Sequence, residues 1–186
     1  MPTYVAVVVA ASLAFVGTMF DNFFAFAAQL VVTEAKRHRR VSWAHAFSVA
    51  LLVVIAAAVG SVLAAVPLRL VGVLAIAPLA LAVHAFRHPV TREQYRRGVV
   101  TTFALTLTLG GDNVAVWAPL LRANGVARGV ATIVIFALWE LLFVTSASAL
   151  AKRENIVRWG TRVAPRVVPW LYLALGVVIL VECHTI

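Results

Sequence analysis

Two acidic pairs carry the chemistry of this chain. Asp21-Asn22 lies inside one apolar stretch and Asp112-Asn113 inside another, 91 positions later. An Asp at the centre of a membrane helix costs roughly 2.5–3.5 kcal/mol on insertion scales, so such a residue normally pairs, hydrates or binds an ion. Two Asp and two Asn side chains offer hard oxygen ligands of the kind that suit Ca²⁺, Mn²⁺ or Mg²⁺ and tolerate Zn²⁺ or Cd²⁺. Thr18 precedes Asp21 by three residues, shares its helix face and adds a hydroxyl oxygen. Gly110-Gly111 before Asp112 permits an unwound turn whose carbonyls face a cation, and Pro119 loosens the same helix further along. Two neighbouring carboxylates resist joint ionisation, so one holds a proton at rest. Cation binding would release it, which is a physical route to exchange of a cation for protons.

Other polar residues weigh less. Glu140 falls inside an apolar run beside Trp139, where a supporting or gating role competes with a plain helix–helix hydrogen bond. Glu182 near the end of the chain reads by itself as a solvated helix end. Met19 offers a soft sulfur, although a single Met in such a run is ordinarily packing. His45 stands where it can relay protons. His84 and His88 read as interfacial, His38 and His184 as solvated.

The elements that must position these residues are membrane helices. Apolar residues make up 63% of the chain and charged residues 12%, about half the usual charged share of a soluble domain. The apolar runs approach 20 residues, the length that crosses about 30 Å of hydrocarbon as helix. They are continuous rather than alternating, which excludes a β-barrel and leaves a helical bundle. The reading is an all-α membrane protein of six transmembrane helices, at about 4–32, 43–66, 69–87, 98–121, 129–151 and 167–183. The N-terminus reads as a first span rather than a removable leader. One cysteine, Cys183, permits neither an internal disulfide nor a thiolate cluster.

The net charge of +9 belongs to the span flanks, so nucleic acid is not an expected partner. Three connections hold thirteen basic residues: Lys36, Arg37, Arg39 and Arg40; Arg87, Arg92, Arg96 and Arg97; Lys152, Arg153, Arg158, Arg162 and Arg166. The opposite side holds three, Arg69, Arg122 and Arg128. The asymmetry places the basic loops in the cytoplasm and both termini outside. Trp43, Trp159 and Trp170 read as interfacial anchors. The offset that superposes the Asp-Asn pairs also superposes Pro78 on Pro169. Three spans per half, an odd number, force the halves to insert in opposite directions. This is a 3+3 inverted-topology repeat, about 1–90 and 95–186, forming one transmembrane domain with Asp21 and Asp112 facing each other near mid-membrane.

The run Leu109-Gly110-Gly111-Asp112-Asn113, followed by Pro119, resembles the Gly-Gly-Asp-Asn…Pro signature of the cadmium resistance transporter (CadD-type) family of the LysE exporter superfamily. Thr18-Met19-Phe20-Asp21 is similar to the family's first-span Thr-x-x-Asp. The stretch from Leu70 to Leu79 resembles its Gly…Pro run, Trp139 its fifth-span Trp, and Leu175-Gly176 through Glu182 its closing Leu-Gly…Glu. The resemblance implies efflux of Cd²⁺ or a related divalent cation across the plasma membrane, and it raises Glu182 to a candidate functional residue. Asn22 stands where the family often has a second acid, Leu109 where a polar residue is common, and His45 where Gln is common. The expected site is therefore Asp21 and Asp112 as cation ligands and proton-exchanging groups, completed by Thr18, Asn22 and Asn113, with Glu140 and Glu182 in support. Cd²⁺, Zn²⁺ or Mn²⁺ is cargo and no cofactor is expected; protons are the coupling ion, lipid is the surrounding partner, and a homo-oligomer is permitted. The competing readings are an exporter of an amino acid or other small organic solute, disfavoured because no Lys or Arg lies deep in a span; an intramembrane aspartyl protease, whose Gly-x-Gly-Asp motif fails at Leu109; and a structural or assembly protein.

Overall fold

The computed structural model describes residues 3–65, 76–87, 102–103, 106 and 110–182. Every regular element among them is helical: α1 (Tyr4–Val32), α2 (His38–Val62), α3 (Ile76–Arg87), α4 (Gly111–Leu150) and α5 (Glu154–Glu182). Short 3-10 turns at Ala35–Arg37 and Leu63–Ala65 flank α2. The starts of the third and fourth expected spans, the loop with His88, Arg92, Arg96 and Arg97, and Arg69, Leu109, Cys183 and His184 lie outside the described residues.

Helix α1 shows why this sequence packs. Its N-terminus is capped by Thr3, whose hydroxyl accepts from the Ala6 N–H at 3.3 Å. Its buried positions are Val7, Ala10, Ala11, Ala14, Phe15, Gly17, Thr18, Met19, Phe26, Ala27, Gln29 and Leu30, a 3.6-residue stripe. Four of the twelve are Ala and one is Gly, and small residues let helix backbones approach in lipid, where dispersion replaces the hydrophobic effect. The opposite face, with Val5, Val8, Val9 and Leu13, is apolar and exposed. Exposed apolar faces recur on every long helix, for example Phe47, Val54, Leu138, Leu141 and Val177. A soluble monomer could not carry them, and a membrane protein requires them.

Helix α4 is 40 residues long, but Gly125 inside it adopts φ 67°, ψ −175°. That region is open essentially to glycine alone. Trp117 and Phe136 would stand about 28 Å apart along a straight helix, yet their ring centroids lie 4.8 Å apart. Asn124 Nδ2 donates to Thr132 Oγ1 at 2.9 Å across the same bend. Helix α4 is therefore a hairpin whose first arm is 111–124 and whose second arm is 126–150.

The contacts fix the helix directions. Phe15 stacks on Trp117 and Met19 meets Asn113, so the first arm runs antiparallel to α1. Phe136 packs on Phe15 and Phe143 on Phe23 and Phe26, so the second arm runs parallel to α1. Leu175 lies against Gly17 and Phe24 against Gly160, which makes α5 antiparallel to α1. Helix α2 follows the first arm in parallel: Leu52 covers Gly110, the Ala118 carbonyl approaches Gly60, and Arg122 donates to the Leu63 and Ala64 carbonyls at 3.1 and 3.3 Å. The Arg122 contacts satisfy carbonyls that the end of α2 leaves open.

One expectation needs correction. Residues 152–166 are not a loop, because α5 begins at Glu154 and the connection shrinks to a turn. Arg158 donates to Glu154 at 2.9 Å, an i,i+4 pair with the acid on the N-terminal side, which suits a helix. At 1.5 Å per residue α5 is about 43 Å long, and its basic residues Arg158, Arg162 and Arg166 lie in its first half.

Two helices, Ala35–Ala65 and Gly111–Leu150, are by length and composition able to cross a membrane, and the bent pair Tyr4–Phe20 and Asn22–Val31 makes a third. The protein is accordingly a helical membrane protein.

Candidate functional site

Both Asp-Asn pairs lie at helix discontinuities. Helix α1 bends by 49° between Phe20 and Asn22, at the position of Asp21. Gly110 (φ −81°, ψ 7°) stands just outside α4, which puts Asp112 in the first turn of that helix. A Cβ on Gly110 would come within 2.3 Å of a Leu52 methyl, which can swing aside, and within 2.8 Å of the Thr106 carbonyl, which cannot, so the local backbone favours glycine there. A carboxylate in the first turn faces unpaired N–H groups and the positive end of the helix dipole. Asp112 uses this position: its Oδ1 accepts from the Asn113 N–H at 2.8 Å. Its Oδ2 accepts from the Tyr172 hydroxyl of α5.

The antiparallel course of α1 and the first arm brings Asn22 and Asn113, one from each pair, to the same side chain. Asn113 Nδ2 approaches Met19 Sδ at 3.5 Å, and Asn22 Nδ2 approaches the same sulfur at 3.8 Å. Asn113 is fully buried, and its Oδ1 has no hydrogen-bond partner. Thr18 is also fully buried, but its hydroxyl donates to the Ala14 carbonyl at 2.9 Å, which leaves only oxygen lone pairs for another partner. The side chains of Asp21 and Glu182 lie outside the described residues. Beside Met19 a cleft of about 200 Å³ opens between α1 and the second arm, walled by Phe15, Phe20, Phe23, Trp139 and Phe143.

Glu140 is placed elsewhere. Its Oε1 lies 3.7 Å from His45 Nε2, and both side chains are buried. The His45 ring is held between Phe26 and Phe143, at centroid distances of 4.5 and 4.9 Å, and its Nδ1 lies 3.3 Å from Thr106 Oγ1. Neither carboxylate oxygen of Glu140 has a hydrogen-bond partner. Gln29 donates to Thr102, and Ser48 to the Phe103 carbonyl at 3.4 Å. These groups form a second buried polar layer across α1, α2, the 102–106 segment and the second arm. Trp139 ties α1 to the second arm through Nε1 and Ser12 Oγ at 2.9 Å.

Sequence reasoning missed Tyr172 as the partner of Asp112, and nothing in its local pattern marks it among the aromatics of that helix. It also treated His45 and Glu140 separately, since 95 positions divide them. Among the described residues no three His, Cys, Asp or Glu side chains gather as a metal cluster. Cation binding here would draw on amides, a hydroxyl and a thioether as well as carboxylate.

Comparison with known families decides the relationship. The family described as cadmium resistance transporter matches residues 15–186, nearly the whole chain. The chain belongs to the cadmium resistance transporter family. Searches of curated proteins and of solved structures returned no match. The family is one of transporters, and its match spans both Asp-Asn pairs, the hairpin and α5.

Proposed function

We propose that the protein exports a divalent heavy-metal cation, Cd²⁺ or a close relative, across the plasma membrane in exchange for protons. The observation that carries this reading is that Asn22 and Asn113, one from each Asp-Asn pair, meet on the buried Met19 side chain, each pair at a break in its helix, in a chain of this family. Asp21 and Asp112 bind the cation and exchange the proton, Asn22, Asn113 and Thr18 complete its surroundings, and Glu182 supports the site. Glu140, paired with His45, acts away from the cation. The chain crosses the membrane six times as a 3+3 inverted repeat, with basic connections in the cytoplasm and both termini outside. The alternation of helix directions supports this topology: α1 and the second arm run one way, and α2, the first arm and α5 the other.

The test is uptake into sealed liposomes containing the purified protein, with Cd²⁺, Zn²⁺, Mn²⁺ and Ca²⁺ under an imposed pH gradient. Metal movement that depends on the gradient and disappears in both Asp21→Asn and Asp112→Asn is expected. A folded protein that moves no metal overturns the cation reading and makes organic-solute export the next candidate.

A further inference from the structure

The chain holds three sulfur atoms, those of Met1, Met19 and Cys183. Met19 is 1% exposed, and two amides from two helices point their nitrogens at its Sδ, at 3.5 Å from Asn113 and 3.8 Å from Asn22. A thioether is a weak acceptor, and buried amides normally satisfy themselves on oxygen. At the same centre Asn113 Oδ1 is buried with no partner. Amide N and O exchange places on a half-turn of the terminal torsion, and only the surrounding partners decide between them. Turned over, the Asn113 oxygen stands about where its nitrogen is now, 3.5 Å from Sδ. Two ligands of one cation at metal–ligand distances of about 2.4 Å stand roughly 3.4–3.9 Å apart. The sulfur and the Asn113 amide thus stand at a spacing that two ligands of one ion would take.

We infer that Met19 Sδ is a direct ligand of the transported cation, with Asn113 Oδ1 turned toward the same point, and that this sulfur makes the site prefer thiophilic divalent ions. The inference rests on the cation-export reading above and sharpens its substrate class. Thioether ligands favour soft and borderline metals, whereas Mn²⁺, Ca²⁺ and Mg²⁺ gain little from sulfur. The oxygen groups alone would accept all of these ions; Met19 divides them.

The experiment uses the purified full-length protein with Cd²⁺ and Mn²⁺ as probes. Met19→Leu keeps the volume and removes the sulfur. Its Cd²⁺ affinity is expected to fall at least about tenfold, the loss already typical of groups that only support a ligand, while its Mn²⁺ affinity stays within about twofold of the wild type. X-ray absorption of Cd²⁺-loaded protein is expected to show a sulfur neighbour that survives Cys183→Ser. Unchanged Cd²⁺ affinity, an equal fall for both metals, or an oxygen-only Cd²⁺ environment in the Cys183→Ser protein each overturns the inference and leaves cation export standing. Wild-type protein that binds no divalent cation overturns both readings. The Cys183→Ser measurement keeps the question decidable even if Met19→Leu fails to fold.

Discussion

Tyr172 is the residue that most changes the reading of Asp112. A half-buried carboxylate that is to take a cation must be held ready without being left bare, and the two oxygens of Asp112 take one backbone and one side-chain donor. Tyr172→Phe removes the second donor while keeping the ring. Groups that orient a ligand are typically worth 10–100-fold in metal affinity, so titration calorimetry with Cd²⁺ is expected to show a loss of about tenfold in a protein that melts near the wild-type temperature. Unchanged affinity would make the contact incidental. Much of this centre was legible in the sequence, because an acid inside an apolar run is conspicuous and its repetition more so. What was not legible is contact between distant positions. Met19 and Asn113 are 94 residues apart, and a lone Met in a span carries no mark of having polar groups aimed at it. Thr18 was legible as a residue on the right face, but not as one whose proton is spent on its own helix.

Among the elements, the α4 hairpin makes the sharpest claim. A Cβ at Gly125 would meet nothing within 4 Å, so a substitution there is opposed by backbone conformation rather than by crowding. Gly125→Ala is expected to destabilise the protein by about 1–3 kcal/mol, read as a lowered melting temperature in detergent. Gly125→Asn should not rescue it, because Asn tolerates the left-handed helical region but not ψ near 180°. If both variants melt as the wild type does, the turn has another solution. The same scale shows why charge misleads. Lys152, Arg153, Arg158, Arg162 and Arg166 announce the flank of a span, and a flank reads as a loop. The spacing of Glu154 and Arg158 was the available sign that helix continues through it.

For the molecule as a whole, the division of basic residues, thirteen against three, makes a directional prediction. With Cys183 replaced by Ser, single cysteines introduced at Lys36 and Arg158 should resist a membrane-impermeant thiol reagent in intact cells and react after permeabilisation. One at Arg128 should react from outside. The reverse pattern would invert the topology, and equal labelling at all three would break the six-span arrangement. Helical architecture was readable from hydropathy alone, since lipid leaves the backbone few options. The direction of each helix emerged only from contacts such as Leu175 on Gly17 and Leu52 on Gly110.

Helix α5 touches both acidic centres through neighbouring turns. Leu175 rests on Gly17, one turn before Asp21, and Tyr172 holds Asp112. It therefore stands as a crossbar between two uprights, one helix bracing the segment before the first acid and bonding the second directly.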